Sequence, residues 1–214
     1  MLKIKRFEFN MFPVNCYVLW DETKEAVIID PGILSEKEEQ TLKDFVQSNE
    51  LTIKHLLLTH LHLDHIAGVP FVEKTFGVKA EAHPLDAFWV DEAPGQSRLF
   101  GFPLKEQPAV PSLHLADGQK VTFGNTVLEC IHVPGHSPGS VCFWNAMENV
   151  LFSGDVLFQG SIGRADLKKG NFDLLIEGIC SRLLTLPTIT LVYPGHGAPT
   201  TIGVEKHENP FFRL

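Results

Sequence analysis

Cysteine is scarce in this chain: four among 214 residues, at Cys16, Cys130, Cys142 and Cys180. None stands in C-x-x-C spacing and each lies among apolar neighbours, so buried free thiols are expected, with a disulfide between them still open. Long apolar runs are missing too. Nothing approaches the ~20 residues needed to cross a bilayer, and residues 1–10 alternate charged and apolar side chains without the apolar core of a signal peptide. A cytoplasmic protein with no membrane partner is the expectation. Positive charge is also in short supply, with 18 Lys and Arg against 26 Asp and Glu, a net charge of −8, and no basic run of five or more. Nucleic acid is held mainly by Lys and Arg on its phosphates, so this balance argues against such a partner.

What remains is ordinary for a globular protein, 44% hydrophobic and 21% charged. The length suits one domain over residues 1–214. Apolar and β-branched runs at 3–9, 14–20 and 26–29, separated by turn formers, predict an opening antiparallel meander. Ser35 and Glu38 form a capping-box pattern ahead of a helix over 36–48, with Leu42, Phe45 and Val46 on one face. A buried strand is expected at 53–58. Helical spacing then returns at Ile66, Val69, Val72 and Phe76, with Pro70 early and Gly77 as the stop. Residues 86–111 hold Pro94, Gly95, Gly101, Pro103 and Pro108 among several aromatics and are expected to form a long packed loop. Runs at 120–123, 126–133, 141–144 and 150–152 predict a second meander. A helix capped by Asn171 over 172–184, a strand at 190–193 and a short tail follow. Strands followed by a helix recur in each half, which predicts two similar halves packed face to face.

The chemistry lies where four apolar runs stop. One ends at His60, one passes through Pro134-Gly135 to His136, one through Ser153-Gly154 to Asp155, and one through Pro194-Gly195 to His196. Strand ends form the open edge at which layered α/β domains bind ligands, and glycine before a ligand permits close backbone approach. The densest segment, Thr59-His60-Leu61-His62-Leu63-Asp64-His65, puts three imidazoles and a carboxylate between a strand and a helix. His60 and His62, two apart in extended chain, point the same way. Taken singly, an H-x-H is a surface pair, a P-G-H a turn, and Asp155 after Gly154 an Asx turn. Four such ends together with the histidine-rich run make a metal site the better reading. It assigns His60, His62 and His136 to one ion, Asp64, His65 and His196 to a second, and Asp155 to both, since a carboxylate offers two oxygens.

The ordered motifs THLHLDH, PGHSPGS, SGD and PGHG, with Asn15-Cys16-Tyr17 and Asp30-Pro31-Gly32 before them, resemble the metallo-β-lactamase superfamily over nearly the whole chain. Residues 160–166 (GSIGRAD) and the tail around Thr201-Ile202-Gly203 and Asn209-Pro210-Phe211 look like the short glyoxalase II-like, or hydroxyacylglutathione hydrolase-like, proteins. The resemblance implies an α/β fold, an αββα sandwich of two mixed sheets flanked by helices with metals at one edge. It implies Zn²⁺, two ions, with iron or manganese as alternatives, and hydrolysis of a thioester such as S-lactoylglutathione. Larger glyoxalase II enzymes add a C-terminal helical domain that contacts glutathione; here the chain runs only from 197 to 214 after His196, so a weaker hold on glutathione is expected.

A metal lowers the pKa of bound water from 15.7 to about 7, which makes a nucleophile at neutral pH. A thiolate leaves without a proton, so a thioester asks little of a general acid. Asp64 is the candidate to orient the attacking water, and Arg164 the candidate to meet a substrate carboxylate, with a salt bridge to Asp166 as its plain alternative. Thr59, Asp30 and Ser153 are candidates to steady the imidazoles. His83 has no partner in the pattern, and His55, His114, His132 and His207 read as structural or surface. Two other functions fit less well. One is a mononuclear-iron persulfide dioxygenase using His60, His136 and Asp155. The other is a non-catalytic metal module, which would favour Cys ligands.

Overall fold

In the computed structural model, which describes residues 1–213, twelve of fourteen strands form two packed sheets, with the six α-helices outside. The first sheet orders β1 (Lys3–Phe9), β2 (Val14–Trp20), β3 (Glu25–Ile29), β4 (Thr52–Leu57), β5 (Ala80–Ala82) and β6 (Leu113–His114) as they occur in the chain. Its first three strands are antiparallel and the rest parallel. The second contains β7 (Lys120–Phe123), β8 (Thr126–His132), β9 (Val141–Asn145), β10 (Val150–Gly154), β13 (Leu191–Pro194) and β14 (Thr200–Thr201), in the order β14-β13-β10-β9-β8-β7. β11 (Leu157–Phe158) and β12 (Ser161–Ile162) make a separate hairpin.

The period of two along β2 explains the layering. Tyr17 and Leu19 face the second sheet and pack with Phe123, Phe143 and Phe152. Cys16 and Val18 face the other way, towards Leu42 and Val46 of α1 (Glu36–Ser48) and Val72 of α3 (Val69–Phe76). On the second sheet, Cys142, Leu151 and Val192 face outward onto Leu175 of α5 (Phe172–Gly178) and onto Ile179 and Leu183. Each fully buried aromatic or aliphatic side chain contributes roughly 1.5–3 kcal/mol, so a strand buried on both faces fixes the register firmly. The architecture is the αββα sandwich.

Most local expectations match. Ser35 and Glu38 complete the capping box, and Gly77 closes α3 at φ 71°. The region expected as a loop over 86–111 is different: a 3₁₀ turn at Pro84–Asp86 leads into α4 (Phe88–Phe100). Burial of Trp89, Val90 and Ala93 on one face outweighs Pro94 in the helix interior. The proline removes the donor that the Val90 carbonyl would have received, and the Gln107 side-chain amide donates to that oxygen instead at 3.0 Å. The helix expected over 172–184 passes from α5 into a π-turn at Ile179–Leu183, where Leu184 N–H reaches Ile179 O. The short tail is β14 and α6 (Ile202–Glu208), capped by the Thr201 hydroxyl. All four cysteines are free; three are buried, but Cys180 is exposed on the π-turn, contrary to the buried reading. No helix among the described residues is long and apolar enough to cross a membrane.

Candidate metal centre

The ends of β4, β8, β10 and β13 open on one edge. β4 runs into Thr59 and His60, and α2 (Leu63–Ile66) begins three residues past His60 to supply Asp64 and His65. Backbone bonds tie these ends together: Val141 N–H to Thr59 O, Gly195 N–H to Gly154 O, and Asn15 N–H to Gly195 O. Gly154 is in the left-handed region at φ 50°, and a Cβ there would collide with the Thr59 side chain. The Asn15 amide and the Tyr17 hydroxyl both donate to Pro194 O, fixing the turn before His196.

The seven residues assigned from sequence meet. His136 Nε2 lies 3.3 Å from His60 Nε2 and 2.9 Å from His62 Nδ1. His196 Nε2 lies 3.3 Å from His65 Nε2 and 3.4 Å from Asp64 Oδ2. Asp155 sits between the two groups, with Oδ2 3.7 Å from His136 Nε2 and 3.5 Å from His196 Nε2, and Oδ1 3.5 Å from His65 Nε2. His60, His62, His65 and His136 are buried, while Asp64, Asp155 and His196 are half-buried.

The imidazoles are oriented from behind. His65 Nδ1–H donates to Asp30 Oδ2 at 3.0 Å, His136 Nδ1–H to Arg164 O at 2.8 Å, and His196 Nδ1–H to Pro13 O at 3.2 Å. Thr59 Oγ1, which itself donates to Asp30, accepts from His60 Nδ1–H at 3.0 Å. Those acceptors place the proton on Nδ1, so the Nε2 lone pairs of all four rings point inward and face one another. Lone pairs in that arrangement repel unless a cation stands between them. Asp155 Oδ1 and His62 Nε2 are buried without a hydrogen-bond partner. A set of imidazoles and carboxylates with no thiolate, and with its opposite nitrogens already anchored, fits a divalent zinc, iron or manganese ion.

Electrostatics agree with that fit. Burial, then the neighbouring His65, His62 and His136, drive His60 well below its ordinary pKa, and burial with His136 takes His62 to about 3. Burial opposes the charge on Asp155, yet His65, His196 and His136 hold its carboxyl below the usual carboxylate range. Burial likewise opposes a charge on His65, but Asp155 and Asp64 raise it well above the usual value. His60 and His62 are thereby kept neutral and Asp155 ionised, the forms that bind cations, while the positive charge that Asp155 and Asp64 draw onto His65 is one that a bound cation would replace.

Other expected residues divide. Asp30 and Thr59 stand behind the imidazoles, whereas Ser153 Oγ donates to Leu157 O at 2.8 Å and steadies none of them, because its strand position faces the hairpin. Arg164 pairs with Asp166 through two bonds of 3.0 and 2.9 Å on the exposed surface, and its carbonyl, not its guanidinium, touches the cluster. His83 stacks on His132 at 4.1 Å, outside both groups. Sequence reasoning missed Asp86, whose carboxylate ties together the loops bearing His62 and His136, and Trp89, whose ring packs on His62. Both lie in the segment taken for a loop, and a lone Asp after His83-Pro84-Leu85 carries no motif.

Two face-to-face mixed sheets with a His/Asp cluster at their common edge define a metallo-hydrolase architecture. Residues 10–196 match the metallo-β-lactamase superfamily, and the chain belongs to that family. It is 36% identical over 211 residues to hydroxyacylglutathione hydrolase GloC of Haemophilus influenzae, covering 98% of each protein. Among solved structures, the B3 metallo-β-lactamase BLEG-1 is 41% identical with a TM-score of 0.89, covering 99% of this chain and 100% of the other. TTHA1623 in a di-iron-bound form is 36% identical with a TM-score of 0.85, covering 97% of this chain and 99% of that one.

Proposed function

We propose that this metallo-hydrolase holds two divalent ions and cleaves a thioester of the hydroxyacylglutathione type. The observation that carries the dinuclear reading is the position of Asp155, within 3.7 Å of ring nitrogens from both triads. His60, His62 and His136 would hold one ion, Asp64, His65 and His196 the other, and Asp155 both. Zinc, iron and manganese all suit these donors, and the di-iron-bound relative supports iron beside zinc. Bound ions supply acidified water and polarisation of the substrate carbonyl.

The chain's own residues do the rest. Asp64 Oδ2, half-buried and facing the cluster, orients the attacking water by accepting one of its protons. The thiolate leaves unprotonated, so the scarcity of free acids around the cluster is no obstacle. Arg164 is the group to meet a substrate carboxylate. Its present bond to Asp166 is exposed on both sides and screened by solvent, so a substrate exchanges with it at little cost. The identity with GloC over nearly the full length of both chains supports the thioester. A second reading, β-lactam hydrolysis, is favoured by the 41% identity to BLEG-1.

Three assays on one metal-loaded preparation separate the readings: thiol release from S-lactoylglutathione, ring opening of a chromogenic β-lactam, and oxygen uptake with glutathione persulfide. Thiol release that a chelator abolishes and two equivalents of metal restore is the expected result. Oxygen uptake supported by a single iron would replace the hydrolase with a dioxygenase, and β-lactam turnover alone would replace the substrate class.

A further inference from the structure

We infer that Asp86 and Trp89 are positioning residues that set the His60–His62–His136 ligand group and leave the Asp64–His65–His196 group alone. The inference rests on the reading of those groups as two metal positions and gives the segment after β5 a role in one of them.

Asp86 is a buried carboxylate surrounded by neutral donors. Its Oδ2 accepts Leu61 N–H at 3.2 Å and Ser137 Oγ–H at 2.6 Å, and its Oδ1 accepts Gly139 N–H at 2.6 Å. Leu61 lies between His60 and His62, and Ser137 follows His136. One side chain therefore pins both loops that carry the three imidazoles. The approach is close enough that a Cβ on Gly139 would lie 2.7 Å from the Asp86 carboxyl carbon. Burial raises its pKa, and the bonds from Ser137, Gly139 and Leu61, with His136 nearby, offset that only in part, so its place is set by the geometry of those three bonds.

Trp89, three residues on, covers the imidazole that lacks an oxygen anchor. His60, His65, His136 and His196 each give Nδ1–H to an oxygen. His62 instead turns Nδ1 inward and leaves Nε2 buried with no hydrogen-bond partner. The Trp89 ring packs nearly perpendicular to it, with centroids 4.5 Å apart and planes at 78°. Ring rotation at His62 is thus restrained by an aromatic wall in place of a carbonyl, a softer hold. Neither Asp86 nor Trp89 makes a hydrogen bond or ring contact to Asp64, His65 or His196 among the described residues.

The test is a Co²⁺ titration of the metal-free full chain, followed by visible absorption, in wild type, Asp86→Asn, Trp89→Leu and Trp89→Phe. His62→Ala in the same titration identifies which equivalent belongs to its group. Asp86→Asn and Trp89→Leu should weaken that equivalent by about 10–100-fold, the usual effect of losing a ligand's outer partner. The other equivalent should stay within about threefold, and Trp89→Phe should restore most of the affinity. If Asp86→Asn fails to fold, Trp89→Leu carries the test, since it removes no hydrogen bond. Wild type taking up fewer than two equivalents overturns the dinuclear reading, and this inference with it. Two equivalents in wild type, with the variants weakened at both or at neither, overturn this inference alone.

Discussion

Asp30 and Thr59 are bonded twice: Thr59 N–H donates to Asp30 Oδ1 at 2.8 Å and Thr59 Oγ1–H to Oδ2 at 2.6 Å. The pair reaches both ligand groups. Thr59 Oγ1 receives His60 Nδ1–H, and Asp30 Oδ2 receives His65 Nδ1–H, so one buried carboxylate fixes the tautomer of an imidazole in each. Asp30 holds this place at φ 48°, in the left-handed region that Asp and Asn tolerate better than other side chains.

Asp30→Asn should therefore keep the backbone and lose the relay. With its NH₂ in the place of Oδ2, Thr59 Oγ1–H and His65 Nδ1–H both lose their acceptor, which loosens His65 directly and His60 through Thr59. Affinity should fall at both ion positions, by about 10–100-fold, with the fold retained. Competition with a chelating dye measures it. Loss confined to one position would show that the relay through Thr59 does not operate.

Asp155→Ala removes the carboxylate common to both groups while leaving the strand end intact. The hydrogen bond Gly195 N–H to Gly154 O and the β10–β13 pairing do not use its side chain. Activity should drop by more than about 10³-fold, the scale of losing a central electrostatic group. Circular dichroism should be unchanged and bound metal should fall below two ions per chain. Two ions retained with near-normal turnover would remove Asp155 from its shared role.

Much of this was legible in the sequence because each part announces itself locally. The near-continuous apolar run in residues 14–20 marks a buried strand, and Ser35 with Glu38 marks a helix start. The THLHLDH run with its three later partners marks the cluster, since so many potential ligands at strand ends have no simpler use. The parts that stayed hidden depend on distant chain. α4 forms despite Pro94 because Trp89, Val90 and Ala93 are buried against residues such as Leu58, Leu63 and Ile66 from earlier in the chain, and the Gln107 side chain folds back onto the Val90 carbonyl, contacts that the prolines and glycines of 86–111 do not announce. Asp86 gives no signal because its three donors come from residues 61, 137 and 139.

His83 supplies a pH dependence outside the cluster. Burial first, then the stacked His132, lower its pKa from 6.5 to about 4; Asp117 opposes this and His114 adds to it. In the unfolded chain it takes a proton near 6.5, so between that value and about 4 the unfolded state binds more protons and stability falls as pH falls. The contribution is complete above about pH 6.5. His83→Asn retains a side-chain acceptor for Leu85 N–H and does not titrate. Its melting temperature should therefore vary less steeply than wild type between pH 6.5 and 4, with both proteins metal-free. Parallel curves would mean that His83 has the same pKa folded and unfolded.

Glu205 joins the last helix to the cluster from a fully buried position. Its Oε1 accepts Thr200 Oγ1–H at 2.6 Å, and its Oε2 accepts Gly160 N–H at 2.9 Å and Asn209 Nδ2–H at 2.7 Å. Asn209 Nδ2 also donates to Ser161 O, so both sides of the β11–β12 turn are held from the C-terminal segment. That hairpin carries Phe158, whose ring centroid is 6.4 Å from that of His196, and runs on through Gly163 to the Arg164 carbonyl that anchors His136. Glu205→Ala leaves the Thr200 hydroxyl and Gly160 N–H without partners, at about 2–4 kcal/mol together. For a chain of this size that lowers the melting temperature by about 4–16 °C. Glu205→Gln keeps the volume but turns an NH₂ towards one of the donors, so it should fall between Ala and wild type. Because the hairpin supports His136, metal affinity should weaken in the same order at the His60–His62–His136 group. A lower melting temperature with unchanged metal affinity would mean that the Arg164 carbonyl is held in place without the C-terminal segment.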